Sequence, residues 1–409
     1  MTVLDSLGRR LQLVQGIVWA HSANGDPYAA LLRGFDEDVA PIHQRARARG
    51  RLWRSAMGSW VTADHRVGSE VLTHPALGVR RVDGNPVDQP EQVIPFALDT
   101  DVVEAERLRS VWELAGQDES AQRGRGIVQQ ACARVLDGVA AQFADQFDMV
   151  DVVERAPVEA LADLFTLCEC QRVRLREDCA AAAIAMDSVL CPQPLDATDR
   201  MLVAIEDLRA LFGELAGPQA GLSAWVRSDG PGPTPKDVRA WGTLAAVVAV
   251  PMAASLVTNA LLALADKPAL WSALAGDQGL AGLIVAETLR YDPPVQVAVS
   301  VASADLDLAG QRVLVGQQVA VLLGAANRDP AFFPQPDRFD PHRVNAPTGL
   351  ALSPGAPYHV VLPFARVLAE SLLRELAVWW PRLRACGPPV RRHRAPVTRG
   401  LLHLPTAPN

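Results

Sequence analysis

Apolar residues recur at helical spacing along most of the chain. Alanine-rich amphipathic runs fill residues 121–226, and a last run spans 364–379. Both are typical of helices that pack one face against a core. Near the N-terminus, the turn NGDP at 24–27 is expected to separate two helices, with Asp26 as the N-cap and Pro27 in the first turn of the second.

The longest apolar run, residues 241–265, is expected to form the centre of the fold. It contains no charged residue. A helix that is apolar on all sides is either buried in a large core or spans a membrane. Alanine predominates in the run, and Thr243, Thr258 and Asn259 interrupt it, which favours the core. We therefore predict a central buried helix over 239–266, opened by Pro235 with Asp237 at the end of the preceding loop and kinked at Pro251.

Alternation of apolar and polar residues marks the strands. The stretch 297–323 alternates with a period of two and has a turn at Ala309-Gly310, so it predicts a hairpin. Residues 59–77 predict a short strand, a turn and a helix that ends before Pro75. The pattern as a whole indicates a mainly α fold with small β-sheets.

Composition excludes some functions. The 409 residues carry a net charge of −7, which disfavours general nucleic-acid binding, and the N-terminus lacks the apolar stretch of a secretory signal. We therefore expect a cytoplasmic protein with no membrane association. The six cysteines show no metal-ligand spacing and are expected to be reduced core thiols, with Cys168 and Cys170 pointing away from each other on a helix.

Several ordered motifs resemble the bacterial cytochrome P-450 superfamily. A predicted helix contains ETLR at 287–290 and is stopped by Asp292-Pro293-Pro294. The predicted hairpin follows, and after it come ANRDP at 326–330 and FPQPDRFDP at 333–341. The resemblance implies a P-450 fold in a single domain over 1–409. It also implies a buried structural network of Glu287, Arg290 and a second arginine, which it assigns to Arg338.

The same resemblance shows that the haem-facing positions are altered. The loop LSPGAPYHVVLPFAR at 352–366 aligns at both ends but is two residues short, and Val360 or Val361 takes the place of the cysteine thiolate. In the proton relay, Pro251 takes the place of the acid and Met252 that of the threonine. Among the residues that hold the haem propionates, Ala105 replaces a histidine and Ser300 an arginine, while Arg109 is retained. These losses predict a fold that binds no haem, no other cofactor and no metal.

One subgroup of the superfamily fits these losses. The N-terminal segment, which includes LGRRLQL at 7–13 and NGDPY at 24–28, and the tail GPPVRRHRAPV at 387–397 resemble the auxiliary proteins of antibiotic glycosyltransferases. Those are haem-free P-450 relatives from actinomycete macrolide and anthracycline pathways. The resemblance implies a non-catalytic partner that binds, stabilises and activates a dTDP-deoxysugar glycosyltransferase in a hetero-oligomer, with a heterotetramer as one arrangement.

The surface that binds the partner is expected in the N-terminal segment 1–40, because this segment is specific to the subgroup. Leu11, Trp19 and Tyr28 are the predicted anchors, since aromatic residues commonly anchor interfaces. Two alternatives stay open: a haem-free recruitment module that docks an oxygenase onto a peptide synthetase, and a haem monooxygenase with an unusual ligand such as His359.

Overall fold

The computed structural model of the chain describes residues 3–35, 38–78, 119–142, 145–215, 234–277, 279–353 and 359–408. Helices dominate these residues: α1 Val3–Ala23, α2 Pro27–Arg33, α3 Ala40–Ala48, α4 His65–Thr73, α5 Glu119–Gln142, α6 Met149–Leu164, α7 Glu169–Ala182, α8 Ala185–Ser188, α9 Leu195–Glu214, α10 Pro235–Leu244, α11 Val250–Leu264, α12 Pro268–Leu274, α13 Leu280–Tyr291, α14 Leu323–Ala326 and α15 Leu362–Trp379. Residues 79–118, and the part of the predicted helical run 121–226 beyond residue 215, lie outside the described residues.

Twelve strands form small sheets in the described part: β1 Trp53–Arg54, β2 Trp60–Thr62, β3 Leu77–Gly78, β4 Phe147–Asp148, β5 Val297–Ala302, β6 Leu306–Leu308, β7 Gln311–Val313, β8 Gln318–Leu322, β9 Arg384–Ala385, β10 Val390–Arg391, β11 Leu401–His403 and β12 Pro405–Ala407. The largest sheet has the order β1-β2-β8-β5-β3, with β2 and β8 parallel and the other pairs antiparallel. The strands at 297–322 and the turn between β6 and β7 confirm the predicted hairpin. Ala309 and Gly310 both have positive φ at that turn.

The central helix runs from Pro235 to Leu264 and consists of α10, a π-helical turn at Ala245–Ala249, and α11. The N–H of Val250 donates to the carbonyl of Ala245, five residues back. Pro251 follows directly, and a proline cannot donate to the carbonyl four residues earlier and clashes with it. The irregularity predicted at Pro251 therefore takes the form of a widened turn on its N-terminal side.

The central helix is the core of the fold. By length and composition it could cross a membrane, but its most apolar window is 78% buried inside the protein, as expected for a core helix. α11 packs against α6, α13 and α15, and α5 closes the ring by packing on α6 and α15. The start of the helix is fixed by a capping box, in which Thr234 and Asp237 exchange hydrogen bonds with each other's backbone.

The N-terminal segment is a helical hairpin. Asp26 caps α2 as predicted, since its carboxylate accepts from the N–H groups of Tyr28 and Ala29 at 2.8 and 3.0 Å. α2 ends at Gly34, whose φ of 66° is left-handed. The carbonyl of Gly34 accepts from the N–H of Arg394 at 2.8 Å, so the segment contacts the C-terminal tail.

Candidate functional site

The buried ion network joins α13 to the loop before α15. Glu287 and Arg290 have fully buried side chains and form paired hydrogen bonds, with Nε to Oε2 at 2.8 Å and Nη2 to Oε1 at 2.7 Å. Arg290 also donates to the carbonyls of Asn327 and Pro336 at 3.0 and 2.9 Å. The predicted pairing of Glu287 with Arg290 is thus present, and it ties the helix to the loop.

The second arginine of the network is Arg343, so its assignment to Arg338 is wrong. The Nε of Arg343 lies 3.3 Å from Glu287 Oε1. The Arg338 guanidinium is exposed and makes one long bond of 3.4 Å to Gln335. Arg338 contributes its backbone carbonyl instead, which accepts from both Arg290 and Arg343. In a loop without periodic structure, sequence position did not reveal which arginine turns inward.

Two valines stand directly before α15, at the place that the resemblance assigns to an axial thiolate. Val360 and Val361 are 4% and 1% exposed and belong to the hydrophobic core. Valine has no lone pair to offer a metal, and no cysteine occurs between Ser353 and Arg366. The six cysteines lie elsewhere, and burial raises the pKa of Cys132 to about 12, which keeps it a thiol.

The proton-relay positions are apolar as well. Pro251 lies in the first turn of α11, and Met252 is 3% exposed. Neither side chain can donate a proton to a bound ligand. Ser300 is buried on β5, while Ala105 and Arg109 lie outside the described residues. The residues present therefore do not fit a thiolate-ligated haem. The described residues also contain no group of three or more His, Cys, Asp or Glu side chains that could hold a metal ion.

Two of the three predicted partner anchors are buried in the protein itself. Tyr28 is fully buried in α2 and Leu11 is 5% exposed in α1, so neither can contact a partner in this structure. Both follow the inward face of the helical hairpin, which the sequence did not distinguish from its outward face. Trp19 is 43% exposed, with the Arg33 guanidinium over its ring at 4.8 Å and the ring of Phe35 tilted against it at 5.7 Å between centroids.

α1 carries a second apolar face, which sequence analysis missed. Leu13, Gly16, Ile17 and Ala20 follow the i, i+3, i+4, i+7 spacing of one helix face, and all four are exposed. Leu13 is 65% exposed and Ile17 40%. We call these four residues together with Trp19 the α1 face. The sequence shows this spacing. When a helix has two apolar faces, however, the sequence alone does not determine which face packs on its own domain.

Comparison with known proteins agrees with this architecture. The cytochrome P450 family model matches residues 280–365, which include the ion network and the start of α15. AknT of Streptomyces galilaeus is 36% identical, over 98% of this chain and 95% of its own length. EryCII of Saccharopolyspora erythraea, a cytochrome P450 family protein, is 30% identical over 99% of both chains. The chain belongs to the cytochrome P450 family.

The fold and the subgroup predictions are both confirmed. The crystal structure of CYP164A2 from Mycobacterium smegmatis with econazole bound superposes with a TM-score of 0.72 and 27% identity, over 93% of this chain and 99% of that one. The full-length relatives place this chain with the P450-like glycosyltransferase auxiliary proteins of actinomycete antibiotic pathways.

Proposed function

We propose that this chain is a non-catalytic partner that binds, stabilises and activates a dTDP-deoxysugar glycosyltransferase in antibiotic biosynthesis. The observation that carries the proposal is the pair of buried valines, Val360 and Val361, where an oxygenase of this family needs a thiolate. Full-length similarity to AknT supports the choice of partner. We further propose that the two proteins form a heterotetramer in the cytoplasm, without nucleic acid or membrane.

Activation of this kind needs only differential binding. A partner that binds the active, folded conformation of the transferase raises the population of that conformation by its difference in affinity for the two states. Binding at 100 times Kd stabilises the bound state by about 2.7 kcal/mol. That is a large fraction of the stability of an ordinary domain. No catalytic group on the auxiliary chain is required.

The α1 face is the surface we propose for this contact. Exposed apolar patches on a protein surface commonly mark interaction sites, and Trp and Arg are frequent anchors of interfaces. Leu13 and Ile17 lie along the face, and Trp19 at its edge has Arg33 stacked on the ring. The face belongs to the segment that resembles the auxiliary subgroup, and no described residue covers it.

Co-expression with the transferase tests both parts of the proposal. The purified wild-type chain should show no Soret absorption band. It should also co-purify with the transferase and increase the turnover of that enzyme. The double variant Leu13→Ser/Ile17→Ser should raise Kd about 30-fold, which corresponds to about 2 kcal/mol. The matched control is Val315→Ser/Val344→Ser, whose valines are 62% and 97% exposed and lie far from α1 in sequence; it should bind like the wild type.

The possible results separate the parts of the proposal. If the wild-type chain binds the transferase and the α1 variant binds equally well, the proposed surface is wrong but the function stands. If the wild-type chain captures an oxygenase and leaves the transferase unaffected, the recruitment module is the correct function. Stoichiometric iron-porphyrin with turnover would support the monooxygenase alternative.

A further inference from the structure

Cys168 and Cys170 lie close together at the start of α7. Their Sγ atoms are 2.9 Å apart, and both residues are exposed. The expectation that they point away from each other is wrong, because Cys168 is not in the helix. It is the N-cap residue, with φ −71° and ψ 165°, and this extended backbone turns its side chain back over the first turn, where Cys170 lies.

The two sulfurs are chemically unequal. The two thiols share a hydrogen bond in which either sulfur can be the donor. This bond lowers the pKa of Cys168, with a further lowering from the backbone N–H of Gln171. The same bond raises the pKa of Cys170, and the charge of the Cys168 thiolate raises it further. Cys168 is therefore the thiol of the pair that ionises first, as for other cysteines at helix N-termini.

The local backbone holds this arrangement in place. The N–H of Cys168 donates to the side-chain oxygen of Gln171 at 3.0 Å. Arg172 fixes the preceding turn, since its Nε donates to the carbonyl of Leu167 at 3.1 Å and its guanidinium pairs with Glu159 on α6 at 3.0 Å. The sulfurs are thus presented by an ordered helix start and not by a free loop.

The pair differs from the other cysteines of the chain. Cys132, Cys179 and Cys191 are buried, and burial raises the pKa of each thiol, which keeps them unreactive. Cys386 is exposed, but its nearest cysteines in sequence are Cys191 and Cys179, which are both buried. Cys386 can therefore exchange with a small disulfide but has no exposed neighbouring thiol within a few residues to complete the reaction.

We propose that Cys168 and Cys170 form a dithiol site that a low-molecular-weight disulfide oxidises reversibly to an intrachain disulfide. The Cys168 thiolate attacks one sulfur of the small disulfide and releases the first small thiolate. Cys170 then loses its proton and attacks the Cys168 sulfur, which releases the second. Two protein thiols are oxidised, one small disulfide is reduced to two thiols, and the two protein protons go to the released thiolates.

The reaction needs little movement. A disulfide S–S bond is about 2.05 Å long, so the sulfurs must approach by about 0.9 Å. The bridge would enclose only the residue between the two cysteines, so it adds little constraint to the unfolded chain and little stability. We therefore expect oxidation to leave the fold intact. This inference is independent of the proposed function.

Oxidised glutathione tests the site on the native protein. Wild-type chain should lose all three exposed thiols, with one glutathione retained on Cys386 and none on Cys168 or Cys170. Peptide mapping should show Cys168 bonded to Cys170. Cys170→Ser should stop at a stable glutathione adduct on Cys168. Cys168→Ser should react at least several-fold more slowly at Cys170, because the more acidic thiol is missing. The control Cys386→Ser should form the intrachain bridge at the wild-type rate.

Two results would overturn the inference. One is a wild-type chain that keeps glutathione on Cys168 at an oxidant concentration that fully modifies Cys386. Cys170 would then have failed to displace the glutathione from Cys168. The other is equal adduct formation on Cys168 and Cys170 in the two serine variants, which would remove the distinction between attacking and resolving thiols. Serine is a favourable N-cap residue, so Cys168→Ser is expected to fold.

Discussion

The role of Arg343 can be tested against that of Arg338, because the two residues differ sharply in their contacts. Arg343 has a side chain only 9% exposed, and it donates to three backbone carbonyls at 2.7 to 3.1 Å besides approaching Glu287. Arg338 is exposed and makes one bond of 3.4 Å. Arg343→Ala should therefore destabilise the protein, and Arg338→Ala should be nearly neutral.

The expected magnitudes follow from these contacts. Removing one partner of a buried ion network costs about 3–5 kcal/mol. Arg290 and the N–H of Asp340, at 3.0 Å, still compensate the Glu287 carboxylate in the variant, so we expect the low end, about 3 kcal/mol. Replacing an exposed side chain that makes no such contacts changes the free energy of unfolding by less than about 0.5 kcal/mol.

Thermal unfolding followed by circular dichroism would measure the difference. At about 2.1 cal/mol/K per residue, the unfolding entropy of 409 residues is about 0.9 kcal/mol/K, so Arg343→Ala should lower Tm by about 3 °C. Arg343→Lys should lower Tm by less than Arg343→Ala but by more than Arg338→Ala, since an ammonium keeps the charge but cannot reach all three carbonyls. A larger loss for Arg338→Ala than for Arg343→Ala would refute the assignment.

Two further variants test burial and packing. Burial and the Arg399, Arg47 and Arg328 charges lower the pKa of His43 to about 3, so only the unfolded chain gains this proton as the pH falls below 6.5. This histidine alone should therefore contribute a decline in stability of about 2 kcal/mol between pH 7 and pH 5. His43→Leu should remove that decline in urea titrations and exposed His342→Leu should not; an unchanged pH slope for His43→Leu would contradict the assignment. Gly242→Ala should cost about 1–3 kcal/mol, because a Cβ would overlap the ring of Phe212, whereas Gly138→Ala, with open space around it, should be neutral or stabilising in the same assay.

Sequence patterns predicted the elements well wherever local chemistry decides the structure. The N-cap at Asp26, the turn at Ala309-Gly310 and the end of α13 before Asp292 depend on residues next to one another, and all three are as predicted. The central helix was also predicted, because a long run without charge has few stable positions other than a core. Pro235 and Asp237 open it as predicted, because the capping box lies at the end of the preceding loop, so the helix begins a few residues before 239.

The errors concern contacts between distant residues. Helical spacing places Leu11 and Leu13 on α1 but does not tell which face meets the rest of the domain, so Leu11 was predicted as a surface anchor and Leu13 was overlooked. Likewise, spacing alone put Cys168 and Cys170 on opposite sides of a helix, whereas the helix begins at Glu169 and Cys168 is its N-cap residue. In each case tertiary packing or a helix boundary decides the orientation.

The contact between Gly34 and Arg394 has a practical consequence for experiments on this chain. The N-terminal segment and the C-terminal tail are anchored to each other, because the ring of Phe35 also contacts that of His393 at 4.9 Å between centroids. Gln193 donates to the Arg394 carbonyl and holds the tail at the same place. Trimming the first thirty residues would remove the fully buried Tyr28, together with α1 and half of α2, the helices that lead to Gly34 and Phe35. Loss of transferase activation by such a truncation would report a damaged auxiliary protein, so single substitutions on the exposed helix face are the cleaner way to map where the partner docks.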